Sequence, residues 1–249
     1  DAQAMAVDGV DAWGPMIQLL LHAGRREEAI VECVRAAEHL LAAGDADAAH
    51  AMLEQAVELD PAREDLVVRL AAAVAHGRLT GEPLESVCRR LEQMLAAQSH
   101  GAVGRALDVL EPAFPDHVGV ACLRADLEEA RGNDEHALDL RLALVDRLES
   151  ARDAQTALAI LDKLIGAAPG NVALLSRRAN LLRAMDRVEQ AVEAYLEIVD
   201  LFRQIDEIEN AIAVYQTVIN MQPGEMEHRR RQQELFLQLG NERVIVEQT

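Results

Sequence analysis

Two clusters of arginine side chains are the part of this sequence best suited to binding chemistry. The clusters are Arg177, Arg178 and Arg183, and Arg229, Arg230 and Arg231. A guanidinium donates paired hydrogen bonds to a carboxylate, so either cluster could receive an acidic peptide. The same side chains could instead form ordinary ion pairs along a helix surface, and the sequence leaves both interpretations open.

The residue patterns that catalysis and metal binding require are not found. The 8 histidines form no HxxxH or HExxH arrangement, and the 3 cysteines form no CxxC pair. Adjacent acids such as Glu27 with Glu28 and Glu128 with Glu129 are expected on solvated helix faces rather than in a catalytic cleft. No serine or cysteine lies in a nucleophile elbow. We therefore expect no enzyme activity, no metal and no cofactor.

The charge balance is strongly acidic. The chain of 249 residues carries 43 acidic and 24 basic side chains, a net charge of −19, and residues 1–61 account for −9 of it. Nucleic acid and anionic membrane surfaces need clustered basic side chains, and the longest apolar runs are too short to span a bilayer. We expect neither nucleic acid nor membrane insertion. The acidic surface serves either solubility or attraction of a basic protein.

The cysteines indicate a reducing compartment. Cys33, Cys88 and Cys122 are odd in number and widely spaced, which favours buried free thiols over disulfides. No signal peptide is visible, so we expect a cytoplasmic protein. One lysine stands beside 23 arginines, which suggests a bacterium with a GC-rich genome. Because the first residue is not methionine, we expect a fragment of a longer chain.

An internal repeat organises the whole sequence. Pro61, Pro115, Pro169 and Pro223 follow one another at a constant 54-residue step, and each closes an apolar run. Small apolar residues and turn residues recur with the same step. This spacing predicts a single domain over residues 11–240 with units at 11–61, 62–115, 116–169 and 170–223 and a partial unit at 224–240. Residues 1–10 and 241–249 are expected to be flanking ends.

Each unit holds three amphipathic helices. In the fourth unit, apolar residues recur at steps of three and four in three successive segments. A turn at Asp186 and a break at 204–206 separate the segments, and Pro223 ends the third. No segment alternates with a period of two over the length of a strand. The sequence therefore predicts an all-α protein of about thirteen helices, beginning near Asp11 and ending near Leu239.

The repeated residues resemble the tetratricopeptide repeat, whose pattern is W-x2-L-G-x2-Y, then A-x3-F, then P. The first unit follows it with Trp13, Leu20, Gly24 and Ala29, and the pattern starts again at Cys33, so the middle helix serves two motifs. Arg124, Arg178, Pro83, Val103 and Arg141 depart from the pattern. The resemblance implies a right-handed α-α superhelix with aromatic residues, Phe236 among them, on the core positions.

The same resemblance implies a function. Related repeats are non-catalytic scaffolds that hold a peptide or helix of another protein in a concave groove. Asn180 follows Ala179 in the position that often lines this groove, and its equivalents are Ala72, Asp126 and Glu234, so the basic two-repeat clamp of some family members is not reproduced. The candidate protein-binding residues are Arg177, Asn180, Arg183, Arg230 and Glu234. Two alternatives remain open, namely self-association by end-to-end stacking and a regulatory or targeting arm of a larger multidomain protein.

Overall fold

A computed structural model describes the helices of residues 13–247 and the side chains of residues 13–240. Over residues 13–247 the chain forms thirteen α-helices and no strand, which confirms the predicted all-α fold class. Helix α1 covers residues 13–22. The other helices are α2 (Arg26–Ala43), α3 (Ala46–Leu59), α4 (Glu64–Gly77), α5 (Glu82–Ala96), α6 (His100–Ala113), α7 (Val118–Ala130), α8 (Asp134–Ser150), α9 (Ala154–Ala167), α10 (Val172–Ala184), α11 (Val188–Gln204), α12 (Ile208–Met221) and α13 (Met226–Glu247).

The four recurring prolines each follow the end of a helix. Helices α3, α6, α9 and α12 end at the same 54-residue step, at Leu59, Ala113, Ala167 and Met221, and a proline lies two positions beyond each end. Proline has no backbone N–H and disfavours helical geometry in the residue before it, so the helix stops there. The next helix then begins three positions after each proline.

Two turn positions in each 54-residue stretch have left-handed backbone geometry. The first series is Gly24, Arg78, Gly132 and Asp186, and the second is Gly44, Gln98, Arg152 and Asp206, with φ between 48° and 84°. A left-handed residue after the last helical turn lets its N–H bond the last carbonyls of the helix. At Gly44, the backbone N–H bonds the carbonyl of Leu41, and Asp45 bonds that of Leu40. Two turns per stretch separate three helices.

The contacts divide the chain into two compact units, with the boundary between Leu142 and Ala143 inside α8. In the first unit, α2 packs on α3, α3 on α4, and α4 on both α5 and α6, while α5 and α6 pack on α7. One continuous core joins these helices, with Leu66, Leu70, Leu107 and Leu127 fully buried. Ala71 is fully buried as well, and its small side chain lets neighbouring helices approach closely.

In the second unit, α9 packs on α10, α10 on α11, α11 on α12 and α12 on α13. Tyr195 and Tyr215 are buried, as expected from their positions in the repeat. Val199, Ala211 and Leu235 belong with Tyr215 to one cluster, which joins α11, α12 and α13. Because each helix contacts its neighbours in the sequence, the core is built by successive stacking.

The last helix differs from the sequence-based expectation. The side chain of Phe236 is 54% exposed, so its predicted burial is wrong, whereas the preceding Leu235 is 4% exposed and packs on α12. Successive helical residues point about 100° apart, so only one of the two can face α12. The helix also continues through Gly240 to Glu247 rather than ending near Leu239, because no proline follows to stop it.

Candidate functional site

An open groove of about 710 Å³ runs along α10 in the second unit and contains two of the predicted binding residues. We call it the α10 groove. Small side chains, those of Ala173, Ser176 and Ala184 among them, line it on α10, and Ala154 lines it at the start of α9. Leu181 adds an apolar side chain, and polar side chains line the rest of the groove, at Glu149, Arg152, Arg177 and Asn180. A groove of this kind can receive an extended chain or one face of a helix.

Arg177 is already engaged by two carboxylates of α8. Its Nε donates to Glu149 Oε1 at 3.1 Å, and its Nη2 donates to Glu149 Oε2 at 3.1 Å and also to Asp146. The hydrogen bonds that Arg177 donates to Glu149 raise the pKa of the guanidinium above its ordinary value. Two acids surround one base here, so an anionic ligand would have to compete with Asp146 and Glu149 for this guanidinium.

The same ion pair occurs two 54-residue steps earlier in the chain. There Arg69 on α4 donates to Glu38 on α2 at 2.6 Å, and these residues stand at the positions of Arg177 and Asp146. A contact that recurs at matching positions is explained by the stacking of one helix on another, without any ligand. Arg177 therefore has a packing role as well as a place in the α10 groove.

Asn180 is exposed, and its side-chain carbonyl oxygen accepts a hydrogen bond from the Tyr195 hydroxyl at 2.7 Å. This bond uses the amide oxygen, so the NH₂ group of Asn180 is left for another partner. Burial raises the pKa of Tyr195, and the charge of Arg183 opposes that effect. One 54-residue step earlier, Asp126 and Arg141 form an ion pair at 2.5 Å in place of this bond. The position therefore links neighbouring helices in both units.

The remaining predicted residues lie outside the lining of the α10 groove. Arg183 is exposed on α10, one helical turn beyond Asn180. Arg230 and Glu234 are both exposed on α13, one turn apart, at the positions that Ser176 and Asn180 occupy on α10. The structure thus brings Arg177 and Asn180 together in one groove and places Arg230 and Glu234 on another helix.

Three polar residues of the α10 groove were not identified from the sequence, namely Glu149, Arg152 and Ser176. Ser176 lies four positions before Asn180, and residues at that spacing share one face of a helix, so helical periodicity alone could have identified it. Arg152 has left-handed geometry at the turn between α8 and α9, with φ of 62°. The recurrence of this turn with the 54-residue step was the signal by which Arg152 could have been identified from the sequence.

The buried thiols lack the properties of reactive groups. Cys33 and Cys88 form no disulfide, and burial raises the pKa of both to about 11. A thiol with a raised pKa is protonated at neutral pH and is a poor nucleophile and metal ligand. Among residues 13–240, no group of three or more histidine, cysteine or acidic side chains is placed to hold a metal ion. In the same part of the chain, no helix has the length and apolar character needed to cross a membrane.

Comparison with known proteins finds a family match in one segment of the chain. Residues 192–225 match the family model of the tetratricopeptide repeat, and they comprise most of α11, all of α12 and the turn after it. The family resemblance read from the sequence is confirmed. No curated protein matches the chain.

Solved structures of tetratricopeptide proteins are similar to this chain. TTC0263, a thermophilic TPR protein of Thermus thermophilus, is 16% identical, with 84% of this chain and 99% of that chain covered and a TM-score of 0.20. Pseudomonas aeruginosa pilF is 14% identical, with 84% and 99% covered and a TM-score of 0.23. YrrB, a TPR protein described as having an unusual peptide-binding site, is 12% identical, with 90% and 99% covered and a TM-score of 0.23.

Proposed function

We propose that this tetratricopeptide-type array is a non-catalytic scaffold that binds a peptide or helix of another protein in the α10 groove. The observation that carries the proposal is the groove itself, in which a lining of small side chains is flanked by Asn180, Arg152 and Arg177. The small residues leave room for a backbone, and the Asn180 NH₂ group can donate to a main-chain carbonyl. Arg152 supplies a cation that could meet a carboxylate of the bound segment.

We infer that the remaining predicted residues extend this surface. Arg183 continues the exposed face of α10, and Arg230 and Glu234 offer one charge of each sign on α13. The helix boundaries and turns that recur with the 54-residue step support the division of residues 11–240 into four units and a partial fifth. The cytoplasmic location stays a prediction from the sequence.

A photo-crosslinking experiment tests the proposed groove. A photoreactive phenylalanine analogue replaces Ser176, which lines the groove, and the matched control carries it at Ala213, which is exposed on α12 of the same unit. Each variant is irradiated in a lysate of its source organism, and the products are identified by mass spectrometry. We expect one partner protein to be crosslinked at Ser176 and not at Ala213.

Three other results would change the conclusion. Equal crosslinking at Ser176 and Ala213, or none at either, would show that the α10 groove is not the binding surface. Crosslinking of the chain only to itself would favour the self-association alternative. Crosslinking to a peptide that is encoded in the same reading frame, but lies outside these 249 residues, would favour the regulatory-arm alternative.

A further inference from the structure

The side of α13 that faces away from α12 is both apolar and basic. Leu235 is 4% exposed and packs on α12, whereas the residues on the opposite side of α13 are exposed. Three of these are large apolar side chains with exposed fractions of 54% to 69%, namely Met226, Phe236 and Leu237. Arg229 and Arg230 lie among them, because residues three, four or seven positions apart share one side of a helix. We call these five residues the outer face of α13.

The positive charge of this outer face is not neutralised within the chain. Among residues 13–240, Arg230 forms no ion pair, and Arg229 Nη2 donates to an uncharged acceptor, the Pro223 carbonyl oxygen, at 3.0 Å. The third arginine of the segment, Arg231, pairs with Glu227 at 3.0 Å on another side of the helix. Exposed apolar side chains that lie together, unlike single scattered ones, mark an interaction surface. The outer face of α13 therefore suits an acidic partner surface with apolar side chains of its own.

A groove of the opposite charge lies in the same unit, between α11 and the turn that joins α9 to α10. It has a volume of about 690 Å³, and Pro169 and Gly170 line it from the turn. Its other lining residues belong to α11, and they include two half-buried leucines and three exposed acids, namely Leu196, Leu201, Glu193, Glu197 and Asp200. In the described part of the chain, no basic side chain lines it. We call it the α11 groove.

The carboxylates of the α11 groove are only weakly engaged by the chain itself. Glu193 forms no ion pair with any residue that the structure describes. Glu197 Oε2 lies 4.0 Å from Arg178 Nη1, and Asp200 Oδ1 lies 3.5 Å from Arg203 Nη1. Both pairs are long and open to solvent, and ion pairs of that kind contribute little. The groove thus keeps its negative charge for a basic partner.

The outer face of α13 and the α11 groove match in length, charge and apolar content. Met226 to Leu237 and Glu193 to Gln204 cover equal numbers of residues, and each stretch is about 16 Å long at the rise of an α-helix. Two guanidinium groups correspond to three carboxylates, and three exposed apolar side chains correspond to two leucines. Because Leu235 holds the opposite side of α13 against α12, the outer face can reach such a groove only on another molecule.

We propose that the outer face of α13 docks in the α11 groove of a second copy of this chain. The arginines pair with the carboxylates of the groove, and the exposed apolar side chains cover its leucines. One helix face in one groove is a small interface, so the association is weak and forms at high protein concentration. Neither surface includes a residue that lines the α10 groove, so the association is compatible with a partner bound there.

Sedimentation velocity over a series of protein concentrations tests this contact. The groove variant combines Glu193→Arg with Glu197→Arg, and the helix variant combines Arg229→Glu with Arg230→Glu. We expect the wild-type protein to associate as its concentration rises. Each variant alone should associate with a Kd raised by about a hundredfold or more, because like charges then face each other. A mixture of the two variants should associate again, since the basic groove of one then meets the acidic helix face of the other.

Two control variants change the net charge by the same amounts at exposed positions outside both surfaces. Glu135→Arg with Asp139→Arg matches the groove variant, and Arg26→Glu with Arg105→Glu matches the helix variant. Both controls should leave the Kd close to that of the wild-type protein. Added salt should weaken the wild-type association, because it screens the exposed charges that draw the two surfaces together.

Four results would overturn the proposal: a wild-type protein that stays monomeric at every concentration, an association that salt does not weaken, controls that weaken it as much as the matched variants, and a mixture of the two variants that stays monomeric. None of them bears on the function proposed above. That function is tested separately by the partner crosslinked at Ser176, which lines neither the α11 groove nor the outer face of α13.

Discussion

At the scale of single residues, Glu128 shows how one carboxylate fixes a turn. It lies near the end of α7 and is 8% exposed, and its oxygens accept hydrogen bonds from Asn133 Nδ2 at 2.7 Å and Arg131 Nη1 at 2.8 Å. The bond from Asn133 is the largest cause of its lowered pKa, and the bond and charge of Arg131 act in the same direction. Both hydrogen bonds are stronger to the ionised form of Glu128 than to its protonated form.

We expect Glu128→Gln to destabilise the protein by about 1 kcal/mol at neutral pH, because the new NH₂ group meets a donor where the carboxylate accepted a bond. A lowered folded-state pKa gives stability that is present above the ordinary pKa of glutamate and lost as pH falls through the folded value. The difference between wild type and variant should therefore shrink towards zero as the solution is acidified. Urea unfolding over a pH series measures it.

Glu129→Gln is the matched control, since Glu129 is exposed and its bond to Arg141 lies at the surface. Its effect should be small, because exposed ion pairs contribute little. A Glu128→Gln effect that is the same at all pH values would contradict the assigned role of the charge.

The roles of individual side chains were the hardest features to predict from the sequence. The placement of Arg177 and Asn180 on one face of α10 followed from helical spacing, but their bonds to Asp146 of α8 and Tyr195 of α11 depend on how α10 packs on those two helices. Glu128 was expected on a solvated face and is buried. Periodicity gives the face of a helix approximately, whereas partners depend on how neighbouring helices pack.

At the scale of helices and turns, much more could be predicted. The recurring prolines marked the ends of four helices because proline acts through local backbone geometry. The left-handed turns were partly predictable, since glycine signals such geometry at Gly24 and Gly132, whereas Arg78 and Gln98 carry no such signal. Local chemistry thus gives the helix boundaries wherever the residue type itself imposes the conformation.

We expect Gly44→Ala to destabilise the protein by about 1 kcal/mol, because a side chain in the left-handed region is strained. Gly44 has φ of 84° and no atom near an added Cβ, so the penalty comes from the backbone alone. Gly166→Ala is the matched control, since Gly166 lies in the last turn of α9 with open space around it. Alanine there should stabilise, by less than the about 1 kcal/mol that the same change gives in a helix interior. Thermal unfolding of both variants should show shifts of opposite sign, and shifts of the same sign would contradict this reasoning.

At the scale of the whole molecule, the sequence predicted the helical-repeat class because both apolar and turn residues recur with the 54-residue step. The family match covers residues 192–225, where Tyr195, Tyr215 and Pro223 follow the pattern closely. The division into two compact units inside α8 could not be predicted, because it depends on how the helices pack and not on the residue types at the boundary. What both units share is stacking of each helix on its neighbours.

Stacking of this kind predicts that damage to the core stays local. Leu107 in α6 and Leu182 in α10 are 0% and 2% exposed, and replacing either with alanine should cost about 2 to 5 kcal/mol in its own unit. In hydrogen exchange followed by mass spectrometry, Leu107→Ala should accelerate exchange in α4 to α7 and leave α11 to α13 protected. Leu182→Ala should accelerate exchange in α9 to α11 and leave α2 and α3 protected, because the energy of a repeat array is a sum of neighbour terms. Leu237→Ala, at a side chain 69% exposed, should change neither region. Equal acceleration of all helices by either core variant would mean that the chain unfolds as one cooperative body, and the stacking description of its stability would then be wrong.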